Sequence, residues 1–312
     1  LGKTEACMIK EKCTENLSVY VKQSSSSCNF NKSGSWVILS QIEQSIKAKI
    51  EAAGTPLKDW DINIYRGILT GYNEAFIIDG KTKNKLIDED PKSAEIIRPI
   101  LRGRDIKRYG YEYADLYLII TFPSLRIDIE KYPAVKQHLM NFNYDRLKQT
   151  GEPGARKLTN NKWFETQDSI NYWEDFYRQK IIYPNMTKYL PFYYDQEGFM
   201  TNQKCFFITG THIEFLTAFL NSSLFKYCYR ESFPELQGGT RELSKIFFDK
   251  ISVLQISPET NNKFKSMVNY IQHLISKNLP TLDLEKEIDN SIFSLYELSE
   301  QEKKEIGFIQ IY

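Results

Sequence analysis

Between Asp61 and Tyr109 the chain reads DINIYRGILTGYNEAFIIDGKTKNKLIDEDPKSAEIIRPILRGRDIKRY, and no other stretch constrains the fold as tightly. Ile62, Ile64 and Arg66 alternate in type, the pattern of a half-buried strand. Gly67, Gly71 and Gly80 punctuate the run, and Gly71 after Thr70 marks a turn open to positive φ. Ala75–Ile78 is apolar, and the Asp79-Gly80 pair after it predicts a hairpin turn. Ser93 opens a short helical pattern through Ile96, Ile97 and Ile100. The segment then turns basic, with Arg98, Arg102, Arg104, Lys107 and Arg108 opposed only by Asp105.

The rest of the chain alternates strand and helix signals. Residues 1–35 are polar and read as a connector, with flexible patches at Ser24–Ser27 and Lys32-Ser33-Gly34-Ser35 and a short strand expected at Leu17–Val21. Leu39–Ala53 predicts a helix: Ser40 and Glu43 form a capping box, Ile42, Ile46 and Ile50 a stripe, and Gly54 and Pro56 a stop. Leu116–Phe122 predicts a buried strand closed by Pro123. Ile127–Gln149 predicts a helix in which Pro133 is either a break or a first turn. Thr150–Lys162, with two glycines and a proline, is a loop carrying Arg156, Lys157, Asn160, Asn161 and Lys162 against a single acid, Glu152.

Trp163–Lys180 is aromatic and partly helical. Ile181–Tyr183 and Lys204–Thr209 are expected strands, with a basic and aromatic region between them at Lys188, Tyr189, Tyr193 and Tyr194. Ile213–Tyr229 has helical core spacing. Gln237-Gly238-Gly239-Thr240-Arg241 is expected as a tight loop with a basic tip, and Ile251–Ile256 as a strand. Two amphipathic helices, Pro258–Asn278 and Asp283–Leu295, precede a last short one capped by Ser299 and Glu302. This tail is acid-rich, which disfavours phosphate and suits packing on the body or a protein partner.

The segments RGILTGYNEAFII and AEIIRPILRGRDIKRY are followed in order by Trp163-Phe164-Glu165, KIIYPNM (Lys180–Met186), FLTAFLNSSLFKYCY (Phe215–Tyr229) and IDNSIFSLYELSEQEKKEI (Ile288–Ile306). Together they resemble the TaqI-like C-terminal specificity domain of type IIG restriction-modification enzymes, shared with adenine-specific methyltransferases of phage defence. The resemblance runs from about Trp60 to the end. It implies a mixed α/β (α+β) target-recognition domain over 57–256, with a mixed sheet and flanking helices. A connector and docking helix (1–56) precede it, and a helical C-terminal subdomain (257–312) follows.

The resemblance implies a module that reads double-stranded DNA for a catalytic methyltransferase domain of the parent protein. S-adenosylmethionine is then expected for the parent and no cofactor for this chain. Arg102, Arg104, Lys107 and Arg108, in the shared pattern, are expected to hold the frame or touch phosphates. Arg156, Lys157, Asn160, Asn161, Lys162, Lys188 and Tyr189, where the chain goes its own way, are expected to read bases, with Arg241 at a phosphate. Asn pairs bidentately with adenine and Arg with guanine in the major groove. The family's proline-containing strand after the glycine loop is absent from ISVLQI, which puts the local turn in doubt.

Composition bounds these readings. Net charge is +1, so a nucleic-acid surface requires local segregation of charge. The five cysteines form no CxxC pair and the three histidines no ligand spacing, so neither a zinc site nor a disulfide framework is expected, and a reducing cytoplasm suits the chain. No apolar run reaches membrane-spanning length. The chain begins with Leu1, as a piece of a longer protein would.

Methyltransferase chemistry needs an Asn/Asp-Pro-Pro-aromatic loop and a glycine-rich cofactor loop, and neither occurs. Leu1-Gly2-Lys3-Thr4 and Gly80-Lys81-Thr82 each carry only part of a phosphate loop; for the latter, Ala75 stands where glycine is needed. Asp90-Pro91-Lys92 has the letters of a magnesium nuclease site but sits in a polar segment. A magnesium-dependent nuclease and a protein-interaction module of a defence complex are the alternatives to DNA recognition.

Overall fold

A computed structural model describes residues 4–7, 16–28 and 39–309. The Lys32-Ser33-Gly34-Ser35 patch and residues 1–3 lie outside the described residues.

A four-stranded antiparallel sheet stands at the centre, in the order Tyr193–Asp195, Lys180–Pro184, Cys205–Gly210, Ile62–Arg66. Side chains on successive strand residues point to opposite faces, and this sheet is buried on both. Ile181, Tyr183, Tyr194 and Ile208 enter one hydrophobic core. Ile182, Tyr193, Cys205 and Phe207 enter another. That double burial explains why KIIYP reads as a continuous apolar run and not as an alternation.

The first core is closed by helices. Gln41–Ala53 contributes Ile46 and Ile50, Ile213–Asn221 and Ser223–Tyr229 contribute Phe215, Phe219 and Phe225, and Pro258–Ser276 contributes Phe264 and Ile271. Leu282–Leu295 and Glu300–Ile306 add Ile288, Ile292 and Ile306 to the same core. The C-terminal helices therefore share their core with helix Gln41–Ala53 and the central sheet. The second core lies between the central sheet and a mixed four-stranded sheet ordered Met200–Thr201, Ile97–Leu101, Leu116–Ile119, Ile77–Asp79, whose first pair is parallel. Helices Gly80–Glu89 and Pro133–Met140 cover it. The architecture is the mixed α/β arrangement expected.

Several local expectations are corrected. Leu17–Ser24 is a helix, not a strand. Asp79-Gly80 makes no hairpin: the Asp79 side chain accepts the Thr82 N–H and caps helix Gly80–Glu89. Aspartate serves both roles, and the partner of its carboxylate decides between them. Ile127–Gln149 is broken into a 3-10 turn at Ile129–Lys131, helix Pro133–Met140 with Pro133 in its first turn, and a single turn at Tyr144–Leu147. The Ser93 pattern divides into a 3-10 turn, Pro91–Ile96, and strand Ile97–Leu101. Ser222 divides Ile213–Tyr229 in two, its hydroxyl accepting the Phe225 N–H.

Candidate nucleic-acid interface

The basic segment folds around Asp105, which is buried. One Asp105 oxygen accepts the backbone N–H and Nε of Arg102 at 2.8 and 3.0 Å, and the other accepts Nη2 at 2.8 Å. This fork fixes a 3-10 turn, Gly103–Asp105. Arg102, not Arg104, is thus the internal partner of Asp105, and Arg104 stands exposed at the turn. Lys107 is also exposed and lies 3.2 Å from Glu112. Arg108 is mostly covered: it ion-pairs with Glu285 of the acidic tail and donates Nε and Nη2 to the carbonyl of Asn221 at 3.2 and 2.7 Å.

Facing this segment is the loop that follows strand Lys180–Pro184. Met186–Thr187 pairs with Arg241–Glu242, Leu190 is buried at φ 50°, and the Tyr189 N–H donates to the Thr187 hydroxyl at 3.0 Å. Anchored on both sides, the loop presents Lys188 and leaves Tyr189 54% exposed. The turn Asn202–Lys204 forms the floor, held by Asn202 Oδ1 accepting the Lys204 N–H and by Arg66 Nε donating to the Gln203 carbonyl. Gly67 passes so close that a Cβ there would sit 2.1 Å from the Asn202 oxygen, so only glycine fits. Gly71 takes φ 77°, as its place after Thr70 predicts.

These walls enclose a cleft of about 1100 Å³ whose lining includes six cationic side chains, Arg102, Arg104, Lys107, Arg108, Lys188 and Lys204, and one carboxylate, Glu285. With Arg102, Lys107 and Arg108 paired to Asp105, Glu112 and Glu285, the cleft keeps an excess of positive charge at Arg104, Lys188 and Lys204, in a concavity whose walls of low dielectric focus the field. Arg104, Lys188 and Lys204 have exposed side chains. Tyr189 adds an aromatic face suited to stacking. Sequence reading did not single out Lys204, Asn202 or Asn73, which also line the cleft. The polar triplet Asn202-Gln203-Lys204 between two apolar runs was the signal available.

The Thr150–Lys162 loop is not part of this cleft. Arg156 is only 2% exposed, and its guanidinium donates to four main-chain carbonyls, those of Leu147, Thr70, Glu165 and Trp163. Burial, with Arg146 nearby, lowers its pKa to about 10, which leaves it charged at neutral pH. With four of its five N–H donors on main-chain carbonyls and its side chain buried, it does not reach a base. Asn161 is likewise spent on the carbonyls of Thr166 and Gln167. Lys157, Asn160 and Lys162 are exposed on the same loop.

Arg241 is no basic tip. It is buried, donating to the Phe233 carbonyl at 3.0 Å and pairing with Glu235 at 2.9 Å, while Gly238 and Gly239 form the turn at φ 74° and 76°. Asp90 caps the Pro91–Ile96 turn through the Lys92 N–H. Among the described residues no three His, Cys, Asp or Glu side chains stand together in a metal-holding group.

Residues 98–253 match the family model of the TaqI-like C-terminal specificity domain. No curated protein matches the chain by sequence. Among solved structures it is similar to the type IIL restriction-modification enzyme MmeI, in a structure with DNA, at 12% identity and a TM-score of 0.53 over 81% of this chain and 35% of that one. It is also similar to the type IIG restriction endonuclease BpuSI, at 13% identity and a TM-score of 0.50 over 83% of this chain and 34% of that one. The chain thus spans about a third of the length of either enzyme, and at these identities the likeness is one of fold.

Proposed function

Since the chain belongs to the family of TaqI-like C-terminal specificity domains, we propose that it is the DNA-recognition module of a restriction-modification enzyme or related adenine-specific DNA methyltransferase. The observation that carries this reading is the cationic cleft between the Arg102–Arg108 segment and the Met186–Pro191 loop. Phosphates of duplex DNA are the partner such a cleft suits, because neutralising each one releases condensed counterions.

Arg104, Lys188 and Lys204 are the phosphate anchors, and Lys107 joins them when it leaves Glu112. Arg102 and Arg108 hold the frame through Asp105 and Glu285. Tyr189 stacks or reads in the cleft, and on the second loop Asn160 offers donors to bases while Lys157 and Lys162 meet phosphates. Methyl transfer, with its S-adenosylmethionine, belongs to a catalytic domain of the parent protein that flips the target base.

The test is fluorescence anisotropy of a labelled duplex titrated with the chain over a series of salt concentrations. Binding should weaken as salt rises, and each of Arg104→Ala, Lys188→Ala and Lys204→Ala should flatten the slope of log affinity against log salt by about 0.9. A flat salt profile for the unaltered chain would overturn the assignment. Slopes left unchanged by all three substitutions would move the contact surface elsewhere.

A further inference from the structure

The loop from Lys148 to Lys162 is built more firmly than a solvated connector requires. Main-chain bonds join Arg156 N–H to the Lys148 carbonyl, Gly151 N–H to the Arg156 carbonyl and Thr159 N–H to the Gln149 carbonyl, at 2.9, 2.9 and 3.1 Å. The Gln149 amide reaches the carbonyls of Lys162 and Glu165 and accepts from the Thr159 hydroxyl. Arg156 fills the inside. What this rigid frame displays is Leu158, 69% exposed, the most exposed large apolar side chain among the described residues. It rests against Gly151, where a Cβ would meet the Leu158 Cβ at 3.1 Å. Lys157 beside it is exposed, and so is Lys162, whose ammonium lies 5.5 Å from the centre of the Phe164 ring.

A single exposed leucine is ordinary on a protein surface. A leucine on a loop whose main chain is hydrogen-bonded at Arg156 before it and Thr159 after it, shaped from within by a guanidinium and with the exposed Lys157 next to it, is a different object. Side chains that part stacked base pairs are apolar wedges, and a cation beside the wedge can hold a neighbouring phosphate. We propose that Leu158 is a wedge that inserts between adjacent base pairs of duplex DNA and kinks it. The proposal rests on the DNA-recognition reading and gives this loop a mechanical role in place of hydrogen-bonded readout by Arg156. The exposed Lys157 beside it favours DNA over an apolar pocket on another protein.

A wedge binds best where stacking is already weakened. The chain should therefore prefer a duplex with one mismatched pair over the same duplex fully paired, on the order of tenfold. Leu158→Ser should bring that ratio close to one without altering the salt slope, and Leu158→Met should keep it. Lys157→Ala should flatten the slope by about 0.9 and keep the ratio. Salt-dependent binding with a ratio that Leu158→Ser does not change overturns the wedge and leaves Leu158 to a protein contact. If the unaltered chain binds neither duplex in a salt-dependent way, the DNA reading itself fails.

Discussion

Arg156 shows how far a residue's chemistry can be read from its letter. In the sequence it is a cation in a polar, glycine-rich loop, the setting in which base readers are sought; in the fold it donates to four main-chain carbonyls, of which those of Thr70 and Glu165 also accept from the Gln167 N–H and the Gln149 amide while those of Leu147 and Trp163 rely on it. Removing one member of a buried hydrogen-bonded group leaves its partners desolvated and unpaired, at a cost of about 1–3 kcal/mol for each such group. Arg156→Met is therefore expected to destabilise the chain by roughly 2–4 kcal/mol and to lower its thermal midpoint by several degrees. Arg156→Lys should recover little, since one ammonium lacks the planar fork that reaches several carbonyls at once. Thermal and urea unfolding check both. A stable Arg156→Met variant with altered DNA preference would restore the base-reading role. The basic run from Arg102 to Arg108 was legible in the sequence as a concentration of charge, but its division of labour was not. Only the contacts show that Arg102 and Arg108 are spent on Asp105 and Glu285 while Arg104 stands exposed.

Elements were legible where their ends carry reciprocal signals. The capping boxes Ser40/Glu43 and Ser299/Glu302 both form as predicted. The second does more than cap. Glu302 also accepts Ser45 Oγ and Lys49 Nζ, each at 2.7 Å, tying helix Glu300–Ile306 to helix Gln41–Ala53 from the other end of the chain. No local pattern could show that pairing. Burial alone would raise the Glu302 pKa, but the hydrogen bonds from Lys49, Ser299 and Ser45 outweigh it and bring it from 4.5 down to about 2. Because the folded value lies below the unfolded one, the stabilisation is fully present above pH 4.5 and is lost as pH falls toward 2. Chemical denaturation across that window should show stability declining with acid, and Glu302→Gln should make the decline shallower. An equal decline in both proteins would remove Glu302 as the titrating group. Asp79-Gly80 marks the opposite case, where the same two letters open a hairpin or cap a helix, and only the tertiary position of the next segment chooses.

At the scale of the molecule, the helical tail was legible as helices but not in its place in the core. The sequence marks amphipathic faces at Pro258–Ser276 and Leu282–Leu295, and such faces fit equally a separate subdomain or a lid on the main body. The central sheet decides. Its strands send Ile181, Tyr183 and Ile208 toward the tail side, into a core completed by Phe264, Met267, Val268, Ile271, Ile288, Ile292, Phe293, Tyr296, Leu298 and Ile306. Ten such side chains, at about 1.5–3 kcal/mol each for full burial, contribute roughly 15–30 kcal/mol as an upper bound. The tail also supplies Ile275, Thr281 and Glu285 to the cleft wall, and Glu285 fixes Arg108. A chain ending at Ile256 is accordingly expected to lose cooperative unfolding and salt-dependent DNA binding together. Circular dichroism during thermal unfolding and the anisotropy titration measure the two losses. A truncated chain that melts cooperatively and still binds DNA would make the tail an independent unit and would place the anchoring contacts on the Gly103–Asp105 turn, the Met186–Pro191 loop and the Asn202–Lys204 turn alone.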